Sequence, residues 1–351
     1  MPDNRFRLPP FIIHRRLSSQ DVAGERLPYN LTAHGFPDLW DFTGAGEGIR
    51  IAIGDTGVDQ IHREDGDLVD QLLDVVDFTG SRVGTDDPHG HGTHTTGTIL
   101  AQYRNQHGIA GVAHRAKGYH GKCLADDGYG SDEQIALFIR WAADVGCHLI
   151  SLSLGGPHPS RTQKDAIEYA YANGVVGIIC AAGNEGRAGV GYPGAYIDPP
   201  TYATGAVDEQ NQIADFSSRG DQVNGVGPGV RIRSTYKNGR FAELSGTSMA
   251  CPWIAGVVAN RLSAELQHAG SIQTDSPEAL IALMSRSSID LGRSGRDPEY
   301  GSGLLDANTF CRVGLDDDTP DDDPGGITLG KIRIRALTHD GESGLFLTYG
   351  D

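Results

Sequence analysis

Arg50-Ile51-Ala52-Ile53-Gly54-Asp55-Thr56-Gly57 is an apolar run that stops at an acid and breaks on glycine. Ile51, Ala52 and Ile53 read as a short buried strand, which places Asp55 at a strand's carboxyl end. Comparable runs recur at 116–120, 148–154, 175–181 and 202–207, and helical patterns lie at 92–101, 131–145, 162–172, 247–267 and 277–285. In the second of these helices Ser131 and Gln134 stand as a capping box, while Ile135, Phe138, Ile139 and Ala142 recur at helical spacing. Strands alternating with helices predict an α/β fold of three layers: a mostly parallel central sheet with helices on both faces. Open sheets of that kind hold their ligands in a crevice at the strands' carboxyl ends, where Asp55 falls.

The length of 351 residues supports one large α/β domain or two ordinary ones. No run of eighteen apolar residues occurs, so a membrane-spanning helix is not expected. Lys and Arg number 29 against 46 Asp and Glu, a net charge of -17, which argues against nucleic acid or an anionic membrane as the main partner. The 49 glycines point to many tight turns. Cys123, Cys147, Cys180, Cys251 and Cys311 form neither a disulfide framework nor a C-x-x-C pair, so reduced, buried thiols are expected. Arg5, Arg7, Arg15 and Arg16 surround a short apolar patch without a signal-peptide core, which predicts a cytoplasmic, intracellular protein.

Four regions follow: an extension over 1–24, a main domain over 25–313, an acidic linker over 314–326 and a carboxyl-terminal β-hairpin over 327–351. The linker carries Asp316 to Asp318 and Asp321 to Asp323 around Thr319-Pro320. A lone hairpin is marginally stable, so it is expected to dock on the main domain or on a second subunit, with a homodimer as one outcome.

Three separated segments set a reactive side chain among small residues: Gly54-Asp55-Thr56-Gly57, His91-Gly92-Thr93-His94 and Ser245-Gly246-Thr247-Ser248-Met249-Ala250. A serine hydroxyl holds its proton at neutral pH, so a neutral imidazole must accept that proton as attack begins, and an acid must orient the ring. Singly, Asp55 reads as a turn former and Ser248 as a helix cap. His89, His91 and His94 also admit a metal reading, but no further ligand follows at a familiar spacing, and His94 alone reads as a packed, hydrogen-bonded helix residue.

Together these segments resemble the subtilisin-like serine proteases, the subtilases of peptidase family S8, over about residues 35–310. Supporting stretches are Ser153-Leu154-Gly155-Gly156, Ala181-Ala182-Gly183-Asn184-Glu185-Gly186, Gly191-Tyr192-Pro193-Gly194 and Asp215-Phe216-Ser217-Ser218. The resemblance implies a subtilisin-like fold and a serine endopeptidase that needs no catalytic cofactor. Asp55, His91 and Ser248 would form the triad, with Asn184 as oxyanion donor and the Ser248 N–H as a second donor. An extended peptide or protein substrate would lie between Ser153, Leu154 and Gly155 on one side and Gly128, Tyr129 and Gly130 on the other. Gly155, Gly156, Ala181, Ala182, Gly183 and Gly191 would line the primary pocket and leave room for a large apolar residue. Close sheet packing is the alternative reading of those small residues.

Arg5-Phe6-Arg7-Leu8-Pro9-Pro10-Phe11 resembles the short extension of the intracellular subtilisins, which lies across the cleft until it is removed. Leu8, Pro10 and Phe11 would then be autoinhibitory, and Pro9 stands where relatives carry isoleucine. Proline's fixed φ and missing N–H suit that role, because they kink a bound strand. Relatives also bind structural calcium in a loop after the histidine helix; Asn105 occupies the corresponding place, with Glu64 or Asp67 to supply charge. A plain hydrogen-bonded loop is the alternative. Three other readings remain: a maturation protease for one partner, a ligase or macrocyclase using the same acyl-enzyme, and a peptide-binding pseudoprotease.

Overall fold

The computed structural model describes residues 5–18, 24–315, 327–329, 332–339 and 342–349. It divides into two compact units, Met1–Cys311 and Arg312–Asp351. In the first, chain order runs β1 (Phe6–Arg7), β2 (Ile12–Leu17), α1 (Tyr29–Thr32), α2 (Phe36–Thr43), β3 (Arg50–Asp55), α3 (Gln60–Asp65), β4 (Leu72–Asp77) and α4 (His91–Leu100). It continues through β5 (Lys117–Lys122), β6 (Tyr129–Gly130), α5 (Asp132–Asp144), β7 (Leu149–Leu152), α6 (Arg161–Ala172), β8 (Gly177–Ala181) and β9 (Tyr202–Val207). Then follow β10 (Val223–Pro228), β11 (Ile232–Tyr236), β12 (Arg240–Ser245), α7 (Thr247–Ala269), α8 (Pro277–Arg286), β13 (Ser288–Ile289), β14 (Leu304–Leu305) and α9 (Ala307–Arg312).

Nine strands form the central sheet in the order β13-β14-β10-β9-β8-β7-β3-β5-β4, and every neighbouring pair is parallel except β13 with β14. Side chains alternate between the sheet's two faces. Ala52, Ile150, Leu152, Ile178 and Cys180 pack with Ile135, Phe138 and Ile139 of α5 and Ala166 and Ile167 of α6. The opposite face meets α7, where the Cys251 thiol donates to the Ile179 carbonyl at 3.3 Å. This is the three-layer, mostly parallel α/β architecture the alternating pattern predicts.

Local chemistry sets these elements. Ser131 Oγ accepts from Gln134 N–H at 3.3 Å and Gln134 Oε1 accepts from Ser131 N–H at 2.8 Å, so the capping box that starts α5 is formed. α7 is buried all round from Thr247 to Glu265, as a helix at the centre of a large core must be, and it begins in the middle of the molecule. The β11–β12 hairpin turns through the three residues Lys237-Asn238-Gly239 between the paired Tyr236 and Arg240, and Asn238 and Gly239 both have positive φ (61° and 62°). All five cysteines are buried and free. No helix among the described residues is long and apolar enough to cross a membrane.

In the second unit three antiparallel strands, β15 (Ile327–Leu329), β16 (Ile332–His339) and β17 (Glu342–Tyr349), make a small sheet of their own, one strand more than the sequence reading supplies. The linker acids 316–318 and 321–323 lie outside the described residues.

Candidate active site

β3 delivers Asp55 to the carboxyl edge of the sheet, wholly buried. Its Oδ1 accepts from Thr56 N–H at 2.8 Å and its Oδ2 from the Thr95 hydroxyl at 3.0 Å, while His91 Nδ1 stands 2.8 and 3.0 Å from the two oxygens. Burial is the largest influence on this carboxyl and works to raise its pKa. The charge and hydrogen bond of His91, the charge of His120 and the Thr56 N–H together outweigh burial and hold it below the ordinary carboxylate range. An ionised Asp55 keeps the proton on Nδ1, so Nε2 of His91 carries the lone pair. That nitrogen is buried and has no hydrogen-bond partner.

His91 opens α4 because the first turn of that helix is pressed against the loop after Asp55. A Cβ on Gly92 would sit 2.2 Å from the Gly57 carbonyl oxygen, so only glycine permits the approach. Asp87 ties the same turn down, with Oδ1 accepting from Gly90 N–H and the Thr56 hydroxyl at 2.8 Å each. Its Oδ2 accepts from Thr93 N–H at 2.8 Å and the Thr93 hydroxyl at 2.7 Å. Burial pushes the Asp87 carboxyl up, against these four bonds. The sequence reading missed Asp87, although an acid shortly before a helix start is a capping signal.

Ser248 lies in the first turn of α7. Its hydroxyl donates to the Ser153 carbonyl at 3.2 Å, and the Ser153 hydroxyl donates back to the Ser248 carbonyl at 3.0 Å, while Ser248 makes no hydrogen bond to His91 Nε2. Asn184 is oriented by its neighbour: its Oδ1 accepts from the Thr247 N–H and hydroxyl at 2.9 Å each, which leaves the amide Nδ2 facing the cleft.

The cleft is filled by the chain's own amino-terminal segment. Phe6 and Arg7 pair antiparallel with Gly130 and Tyr129, and Arg7 exchanges both main-chain bonds with Gly155 at 3.0 Å. Leu8 N–H donates to the Gly128 carbonyl at 3.1 Å. Asn184 Nδ2 donates to the Pro10 carbonyl at 2.7 Å, and the Phe11 ring tilts against His91 with centroids 5.0 Å apart. Phe6 is buried to 2% exposure in the cluster of Leu124, Ile135 and Leu154, an anchor the sequence reading did not identify.

A cavity of about 400 Å³ opens beside Pro9, lined by Gly155, Gly156, Gly183, Glu185 and Gly191. Ala181 and Ala182 do not line it; both are buried in sheet packing, and Ala182 N–H is spent on the Thr204 carbonyl. The metal reading of the three histidines finds no support in their ring nitrogens: His91 Nδ1 is held by Asp55, and His94 Nε2 by the carbonyls of Ile232 and Ala242 at 3.1 and 3.2 Å, while the His89 ring packs edge-on against Phe11. Among the described residues no cluster of three His, Cys, Asp or Glu side chains could hold an ion. Asn105 Nδ2 contacts Asp67 Oδ1 at 3.0 Å, whereas Glu64 bonds to Gln60, so Asp67 and not Glu64 is the acid of that loop.

A parallel sheet ending in a buried Asp-His pair, with a serine at the head of the central helix, is the frame of a serine endopeptidase, and the subtilase family model matches residues 46–303. The chain belongs to the subtilase family. It is 39% identical to subtilisin BL of Lederbergia lenta over 268 residues, covering 76% of this chain and 92% of that protein. It is 40% identical to the M-protease of Shouchella clausii (76% and 65% covered) and 35% identical to the major intracellular serine protease of Bacillus subtilis (73% and 80%).

Proposed function

We propose that the chain cleaves extended polypeptides through Asp55, His91 and Ser248, and that residues 1–24 hold it inactive. Ser248 Oγ turns from the Ser153 carbonyl to His91 Nε2 and gives up its proton as it attacks the substrate carbonyl carbon. The oxygen of that carbonyl takes the negative charge and accepts hydrogen bonds from Asn184 Nδ2 and the Ser248 N–H. His91 then passes its proton to the leaving amine as the carbon–nitrogen bond breaks, which leaves an acyl-enzyme on Ser248. Water, deprotonated by the same ring, attacks the ester carbon, the bond to Ser248 Oγ breaks, His91 returns its proton to that oxygen, and the acid is released. Throughout, the Asp55 carboxylate stabilises the imidazolium.

The observation that carries this reading is the Pro10 carbonyl resting on Asn184 beside a complete Asp55–His91 pair. It also supports inhibition by occupation of the cleft. Pro9 borders the cavity, and the Pro10 carbonyl is the one that Asn184 Nδ2 holds, at 2.7 Å. The donor that a substrate carbonyl would need is thereby taken, and the fixed φ and missing N–H of Pro9 and Pro10 kink the bound segment. Cutting the whole folded chain at a site-specific protease sequence inserted at 19–23 should raise peptidase activity; equal rates before and after the cut would reject inhibition.

Main-chain pairing at Gly128, Tyr129, Gly130 and Gly155 favours broad sequence tolerance, and the glycine-lined cavity favours a large apolar residue next to the cleaved bond. Five free, buried thiols and the likeness to an intracellular protease support an intracellular site of action. Structural calcium at the Asn105 loop is part of this reading: the Asp67 carboxylate and the Asn105 amide, joined at 3.0 Å, are hard oxygen-bearing groups of the kind that ion takes.

A further inference from the structure

The amino-terminal segment does not end at the cleft. Beyond Phe11, β2 pairs antiparallel with β12 through Ile12 with Ser245, Ile13 with Leu244, Arg15 with Glu243, Arg16 with Ala242 and Leu17 with Phe241. A register shift falls between Glu243 and Leu244, and beside it His14 Nε2 meets the Ser245 hydroxyl at 2.6 Å. Without β2, β12 is the open edge of a two-stranded hairpin, with main-chain donors and acceptors free to take another strand. The same strand runs directly into Gly246, Thr247 and Ser248.

Ile12 and Ile13 stay exposed at 49% and 37%, but Leu17 is 2% exposed in a pocket of Ala101, Ile109 and Phe241. Nothing in the hydrolytic step uses this pocket. It lies seven residues along the bound strand from Pro10, whose carbonyl rests on Asn184.

We propose that the outer edge of β12 and the pocket of Ala101, Ile109 and Phe241 bind the part of an extended polypeptide substrate that follows the cleaved bond, taking a branched apolar side chain about seven residues downstream. The inference rests on the peptidase reading above and adds a remote anchor to it. Main-chain bonds to a sheet edge accept almost any sequence, so selection falls on the anchored side chain. The protease thereby senses the length of unfolded chain beyond the cut, and it prefers extended polypeptides to short peptides or tight loops.

The whole chain is folded, then cut at a site-specific protease sequence inserted at 19–23 and separated from the released segment. Three quenched fluorogenic peptides share one sequence up to the cleaved bond. One stops two residues later, one continues through Ile-Ile-His-Arg-Arg-Leu in the register of 12–17, and one replaces the last leucine of that run by Asp. The long peptide should show a KM about tenfold or more below the short one, the scale of one buried apolar side chain, with kcat little changed. The Asp peptide should lose most of that gain. A free peptide of residues 12–17 should raise KM for the long peptide and leave the short one untouched. Equal KM across the three peptides overturns this inference alone; failure to cleave any of them overturns the peptidase reading as well.

Discussion

His91 and His94 sit one turn apart on α4, both fully buried, and they face different parts of the molecule. His91 looks toward the end of β3 and meets a carboxylate; His94 looks toward the β11–β12 hairpin and meets two main-chain carbonyls. The first therefore has a proton acceptor that can support a charge, while the second is held neutral, its pKa pushed down to about 3 by burial and by the charge of His91. Identity of residue and burial do not separate the two. The partner does, and the partner is set by which element packs against each face.

Breaking the His91 side should have the largest effect. Ser248→Ala should lower kcat by about 10⁶-fold, the loss known for the nucleophile of a subtilisin triad. Asp55→Asn should cost about 10⁴-fold by favouring the wrong tautomer of His91, read as kcat on the cut protein. Asn184→Ala should cost about 10²- to 10³-fold in kcat with KM little changed, because its amide acts on charge that develops only in the transition state. A loss confined to KM would assign Asn184 to ground-state binding.

His94→Asn sharpens the other side of the comparison. It should lower stability by about 1–3 kcal/mol, the cost of disturbing buried hydrogen-bonded groups, while the folded fraction keeps its turnover. The pH dependence follows from the same burial. Unfolded histidine takes up a proton near pH 6.5, whereas folded His94 waits until about 3, so between those values the unfolded chain binds more protons and stability falls as pH drops. His120, at about 3, and His114, at about 4, are depressed chiefly by burial and add to the same slope. Each contributes at most about 1.4 kcal/mol per pH unit, so melting temperature should fall from pH 7 to pH 4, less steeply in His94→Asn. The smallest effect belongs to the Asp67–Asn105 loop, where excess chelator should lower the melting temperature by a few degrees; an unchanged curve removes calcium from the account.

The sheet's central strands and the carboxyl-end position of Asp55 were legible because each is a local pattern: an apolar run, a breaking glycine, a helix with its cap. The β11–β12 hairpin has a local signal too, in Asn238-Gly239, but the edge strand that completes its sheet comes from residues 12–17, more than two hundred positions away in sequence. Phe6 and Leu17 look like any apolar residues in a short patch. Their burial depends on cavities built by α5 and by residues 101–109 and 241, so no window of the sequence around them reveals it. Pro10 and Phe11 were singled out by the resemblance of residues 5–11 to a known extension, whereas the Pro10 carbonyl's contact with Asn184 needs the cleft in three dimensions. Asp87 went unread because its four bonds join a loop, a strand end and a helix start that only the fold brings together.

A fluorophosphonate probe, applied to the whole chain before and after the cut at 19–23, tests the central claim most directly. The account predicts a single labelled residue, Ser248, modified after the cut and protected before it. Equal labelling of Ser248 in both samples would contradict the masking of the cleft by residues 1–24, and no labelling of Ser248 after the cut would contradict its role as nucleophile.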